Sequence, residues 1–109
     1  MAPLFGRREA KHAFAEVLED AEEISRNAMS SPKYNRYRGA EPMFDVAVRV
    51  EPDDGPPYQA TMEAGLSVTF LLKPGVRVAV GYDPSKPQHV TLEDGVQAVL
   101  DRNPQLKKQ

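Results

Sequence analysis

The spacing of hydrophobic positions changes once along the chain, near residue 43, and the change separates two kinds of structure. Before it, Ala10, Phe14, Val17, Ala21, Ile24 and Ala28 recur at alternating intervals of four and three. Ala13 and Leu18 widen the stripe, and Glu9, Glu16, Glu19, Asp20, Glu22 and Glu23 fill the remaining faces. This is the pattern of an amphipathic helix, predicted over 7–29 and ended by Ser30, Ser31 and Pro32. Its cationic start and acidic middle oppose the helix dipole, so packing has to hold it. The stripe is shorter than the ~3–4 heptads of a free-standing coiled coil. Two arrangements stay open: the helix covers a face of its own sheet, or it pairs with a partner.

After the change the period is two. Phe44, Val46, Val48 and Val50 alternate with Asp45, Ala47, Arg49 and Glu51, the pattern of a half-buried strand. The turn at 52–57 carries an Asp54-Gly55 hairpin signal, and Tyr58, Ala60, Met62 and Ala64 make an antiparallel second strand. Leu66, Val68, Phe70 and Leu72 predict a third, with Leu71 apolar on its other face and so a candidate contact residue. Val76, Val78, Val80 and Tyr82 predict a fourth, and 89–92 a short fifth. Val96, Val99 and Leu100 lie on one face of a short helix within 93–102, and the tail from Lys107 is expected to fray.

The predicted fold class is therefore α+β. An N-terminal helix (1–29) and a polar linker (30–42) precede an antiparallel sheet or small barrel of four to five strands (43–92), followed by a short C-terminal helix and tail (93–109). The prolines that flank the strands protect their edges from unwanted pairing.

The turns carry a resemblance. Asp54-Gly55-Pro56-Pro57-Tyr58, Leu72-Lys73-Pro74-Gly75, Val78-Ala79-Val80-Gly81-Tyr82-Asp83-Pro84 and Pro87-Gln88-His89-Val90 follow one another in order. Over 44–92 the chain thereby resembles small β-barrel-like modules of uncharacterised bacterial proteins, largely actinobacterial. The resemblance implies a small barrel and brings no catalytic residue with it. Some proteins of that kind carry transmembrane helices, where this chain has the charged segment 7–29.

Composition narrows the chemistry. The 109 residues fit one domain. With 14 basic and 16 acidic side chains, the net charge of -2 argues against strong non-specific attraction to DNA. There is no cysteine, which excludes disulfides, thiolate catalysis and cysteine–zinc sites. Arg7 and Arg8 follow Met1 too closely for a signal-peptide core, and the apolar stretch 65–72 is far short of the ~20 residues of a membrane span. The expected location is the cytoplasm.

No catalytic, cofactor or metal constellation emerges. His12 with Glu9 and Glu16 reads as a solvated charge ladder on a helix face, since a zinc site needs three or four convergent ligands. His89 has no evident sequence partner. Asp53, Asp54 and Asp83 read as turn residues bonded to nearby backbone. Gly65, Gly75 and Gly81 read as bulge or turn glycines. The expectation is a non-enzymatic protein-interaction or assembly module. Its contact to itself or to a larger complex would run through Phe14, Val17, Leu18, Ile24 and Leu71. The alternative is an OB-like binder of single-stranded nucleic acid, with Tyr34 and Tyr37 stacking on bases while Lys33, Arg36 and Arg38 neutralise phosphate.

Overall fold

Valine and alanine at alternate positions are the right size to fill a narrow barrel, and that is where the strands put them. The computed structural model describes residues 10–107. In chain order it contains β1 (Lys11–Val17), α1 (Ala21–Met29), β2 (Tyr37–Arg38), β3 (Glu41–Glu51), β4 (Tyr58–Gly65), α2 (Leu66–Thr69), β5 (Arg77–Tyr82), β6 (His89–Leu92) and α3 (Val96–Arg102). A 3-10 turn, Pro104–Lys107, follows α3.

Five strands close on themselves in the order β1-β5-β6-β4-β3, with β3 returning to β1. The two-residue β2 lies alongside the start of β3. Four of the five contacts around the barrel are antiparallel, but β4 and β6 run parallel, Met62 beside Val90. The barrel is thus mixed, where the alternation alone led to an antiparallel sheet. Ala15 and Val17 of β1, Val46, Val48 and Val50 of β3, Met62 of β4 and Val78 and Val80 of β5 are all buried inside it. A closed five-stranded wall has room for side chains of this size and little else.

The predicted N-terminal helix is not formed. Among the described residues, 11–17 is a strand and the first helix starts only at Ala21. Residues 7–9 of the expected helix lie outside the described part. Phe14 and Val17 are three apart, so a helix would place them on one face; in the strand Phe14 faces out and Val17 in. The strand wins because β1 closes the barrel. It pairs with β3 from Phe14↔Glu51 to Val17↔Val48 and with β5 from Lys11↔Tyr82 to Glu16↔Arg77. Two ladders of backbone hydrogen bonds and two buried side chains outweigh the local helical preference of an Ala- and Glu-rich segment.

With its start moved to Ala21, α1 is favourably built. Asp20 accepts a hydrogen bond from the Glu23 amide at 3.1 Å as N-cap. Glu22 and Glu23 now occupy the first turn and Arg26 the last, the order that the helix dipole favours.

The expected third strand is also replaced. Residues 66–69 form α2, and the amides of Leu71 and Leu72 bond back to the Val68 and Thr69 carbonyls. Leu66 and Phe70, one turn apart, are exposed, whereas Val68, Thr69, Leu71 and Leu72 are buried. The segment plugs one end of the barrel, and its burial follows a helical rather than a two-residue repeat. The strands predicted near 43–51, 58–64, 76–82 and 89–92 are present, as is the short C-terminal helix. No helix among the described residues is long and apolar enough to cross a membrane.

Candidate functional site

The residues expected to form one contact stripe end up in different places. Val17 and Leu71 belong to the core, Val17 fully buried and Leu71 7% exposed, so neither projects from the surface as a contact residue. The expected third strand would turn Leu71 outward; in the turn after α2 it points into the barrel end instead. Phe14 projects from the outer face of β1, 46% exposed, with the Arg102 guanidinium 4.9 Å from its ring centre. Leu18 is exposed just beyond β1, and Ile24 is half-buried on α1.

A different apolar patch surrounds the α2 plug. Phe70 is 51% exposed and rims a groove of about 440 Å³ whose other walls are Leu71, Lys73, Leu100 and Leu106. Two anchors bring the C-terminal segment to this position. The Asn103 side chain, 2% exposed as a residue, accepts from the Arg77 amide at 2.8 Å. It also donates to the carbonyls of Arg77 and Val99 at 2.7 and 2.8 Å. Asp94 accepts from the Ala79 amide and takes both Nε and Nη2 of Arg102 at 2.9 and 3.0 Å. That carboxylate holds the Arg102 pKa above its ordinary value. Val99 can then bury completely against the barrel, leaving Leu100 and Leu106 at the groove.

The cation in the groove wall is already satisfied. Lys73 Nζ contacts Glu22 at 2.8 Å and Asp20 at 3.0 Å, and these carboxylates raise its pKa, the Glu22 hydrogen bond first. Asp20 moves the other way, held below its usual value by Lys73 and then by the Glu23 amide.

Segment 33–38 forms part of the connection from β1 to β3. The Tyr34 hydroxyl lies 2.6 Å from the carbonyl oxygens of both Arg36 and Met43, and its ring stacks on Phe44 at 5.4 Å. Tyr37 meets the Tyr34 ring edge-on at 5.3 Å and is 54% exposed. Arg36 pairs with Asp45 and Glu63, both at 2.9 Å, and Arg38 pairs with Glu63 at 2.5 Å. Asp45 and Glu63 sit opposite each other on β3 and β4. Only Lys33 and Tyr37 of the five candidates therefore present a cation or a ring face not already engaged by the barrel.

Of the charge ladder expected around His12, the described part does not join His12 to Glu16. Glu9 lies outside the described residues, and Glu16 contacts Arg49 at 2.5 Å. His12 Nδ1 instead meets the Glu93 carboxylate at 2.9 Å, across the sheet from a residue far away in sequence. Gly81 lies within β5 rather than in a turn, beneath that carboxylate, and an added Cβ there would require the Glu93 side chain to shift. Among the described residues no group of three or more His, Asp or Glu side chains is placed to hold a metal ion.

At the barrel end away from α2, the β3–β4 and β5–β6 turns face each other across a second groove, of about 340 Å³. Pro52, Pro56, Pro84 and Pro87 line it together with Tyr58 and Tyr82. The Tyr58 hydroxyl donates to the Pro87 carbonyl at 3.0 Å, tying one turn to the other. Burial, and then the neighbouring Tyr82, push the Tyr58 phenol above its ordinary pKa, so it stays neutral at physiological pH. At the rim, Lys11 and Asp54 form an exposed pair at 2.8 Å. Asp53 extends the rim into an adjoining cleft lined by Ala10 and His12.

The sequence reading missed both grooves. The signal for the second lay in the Pro-Tyr and Tyr-Asp-Pro turns, whose chemistry explained the bends and hid the fact that they meet. Comparison with protein families, curated proteins and solved structures gives no match.

Proposed function

We propose that this protein is a non-enzymatic assembly module that associates with a second copy of itself through the α2 end of the barrel. The observation that carries the reading is the pairing of a knob and a hole in one patch. Phe70 is half-exposed on the rim of the apolar groove it helps to line, with Leu66 one turn away on the same side. A two-fold contact uses one patch twice, so each Phe70 would enter the groove of the other copy. Lys73 and Arg26 together balance Asp20 and Glu22, which lowers the electrostatic cost of bringing two such rims together.

Two half-exposed phenylalanines buried in this way contribute about 1.5–3 kcal/mol. The test is light scattering over a concentration series. The expected mass rises toward twice the 12.1 kDa chain, and Phe70→Ser shifts the midpoint roughly ten- to a hundred-fold higher in concentration. A monomer at millimolar concentration, or a dimer indifferent to Phe70→Ser, overturns the reading.

An OB-like binder of single-stranded nucleic acid is the second reading. The closed five-stranded barrel favours it, as does the position of Tyr37 and Lys33 in the connection from β1 to β3, a loop such barrels use for ligands. The pairing of Arg36 and Arg38 with Asp45 and Glu63 weighs against it, since phosphate would have to displace carboxylates. It expects salt-sensitive binding to a labelled oligonucleotide that falls in the Tyr37→Ala, Arg36→Ala and Arg38→Ala variants. Absence of binding at low salt ends it.

A further inference from the structure

We propose that the tyrosine–proline groove at the other end of the barrel binds a proline-rich peptide segment that carries an arginine or lysine. The inference does not depend on self-association at α2.

The lining selects the mode of recognition. Four prolines contribute four backbone positions without an N–H. A wall so poor in donors cannot form the hydrogen-bond ladder by which an extended strand adds to a sheet edge. What it presents is pyrrolidine and phenol faces. Polyproline II segments dock through such faces, against aromatic-lined grooves, because the ligand helix has no internal hydrogen bonds and is stiff before it binds. The groove is also held in shape without a ligand. The hydroxyl of Tyr58 clamps the β3–β4 side to Pro87, and Tyr58 and Tyr82 both lie on barrel strands rather than on loops.

The rim supplies charge complementarity. Asp54 lines the groove and pairs with Lys11, and Asp53 precedes it in the adjoining cleft, which shares Lys11, Pro52, Asp54 and Tyr82 with the groove. The Lys11–Asp54 pair is largely solvent-exposed on both sides, so an incoming guanidinium can compete for Asp54 at little cost and can engage Asp53 as well. The site is thus apolar along its floor, and at one end its two carboxylates outnumber the single lysine by one, matching a run of prolines with a flanking basic residue.

The test is a titration of the full-length, ¹⁵N-labelled chain with three synthetic decapeptides, followed by amide chemical shifts. One is proline with a flanking arginine, one is uncharged proline, and one is Gly-Ser with the same arginine. The arginine–proline peptide is expected to shift resonances of 52–58 and 82–87 in a saturable way. The uncharged proline peptide binds the same residues more weakly, and the Gly-Ser peptide leaves them unmoved. Asp53→Asn lies on an exposed turn and keeps the fold. It is expected to weaken only the arginine-containing proline peptide, by about two- to five-fold, an exposed ion pair's contribution.

Equal shifts from the Gly-Ser peptide would show a charge effect alone and overturn the proposal. So would the absence of saturable shifts in the groove, or shifts confined to the α2 end. Saturable groove binding by both proline peptides with no loss in Asp53→Asn would overturn the basic-residue requirement.

Discussion

Asn103 is the residue whose removal tests most directly how the C-terminal segment is held. Replacing it by alanine leaves the Arg77 amide and the Arg77 carbonyl without the partners they have at 2.8 and 2.7 Å. The Val99 carbonyl loses one donor and keeps another, the backbone amide of residue 103 at 3.0 Å. A buried polar group left unpaired costs about 1–3 kcal/mol; the two Arg77 groups are only part-buried, which keeps each in the lower part of that range, and the half-satisfied carbonyl adds little, so the expected loss is roughly 2–4 kcal/mol. Against a total of ~5–15 kcal/mol this is a large fraction, corresponding to a fall in Tm of roughly 10–30 °C. Urea unfolding at pH 7 followed by circular dichroism, with the slope checked for constancy, measures it. A loss below about 1 kcal/mol at unchanged slope refutes the argument that this side chain carries the docking. Asn103→Asp supplies a second arm. It keeps an acceptor for the Arg77 amide but turns both donor contacts into carboxylate–carbonyl repulsion. Those carbonyls and burial raise the folded-state pKa of the new carboxyl. Its deficit is therefore larger at pH 7 than at pH 4, since protonation restores a donor.

Two further outcomes are expected. If 11–17 is a strand, Val17→Ala removes buried volume from the barrel and costs about 2–3 kcal/mol, while Phe14→Ala loses an outer-face contact with Arg102 and costs about 1 kcal/mol or less; comparable losses at both positions in urea melts would restore the helical reading. Asp20 and Glu51 have folded-state pKa values depressed by Lys73 and Arg77 respectively, so the stability they add is present above their unfolded values and is lost as pH falls through the folded ones. The urea midpoint should decline below about pH 4, and the Asp20→Asn, Glu51→Gln double variant should flatten that decline; an unaltered acid limb would remove these pairs from the account.

The hydrophobic pattern reads well where the environment is simple and poorly where two elements share a residue. β3, β4, β5 and β6 each have one face in the barrel and one in solvent, so their alternation is undisguised. Segment 10–17 was ambiguous because Ala13 and Ala15 fit either period and the outward Phe14 counted as core. The informative signal is the cap: Asp20 with Glu23 three residues later favours a helix start there over a helix running through from residue 7. Segment 66–72 failed differently. Every second residue is apolar, yet so are neighbouring positions, and a plug at a barrel end is buried by its location rather than its period. The grooves were illegible because each joins turns or termini distant in sequence: Phe70 with Leu106, and Pro52 with Pro87.

The way β1 closes the barrel also governs how the chain can be made. Its two ladders join residues 11–17 to 48–51 and to 77–82, and β6 slots between strands that precede it. As the polypeptide leaves the ribosome, β1, β3 and β4 can pair with one another first, but the outer edges of β4 and β5 stay open and the barrel cannot close until residue 92 is out. Such distant pairings make assembly slow, and the unsealed intermediate presents the very edges through which nascent chains stick together. A chain stopped in the β5–β6 turn would therefore be a sticky fragment rather than a smaller domain.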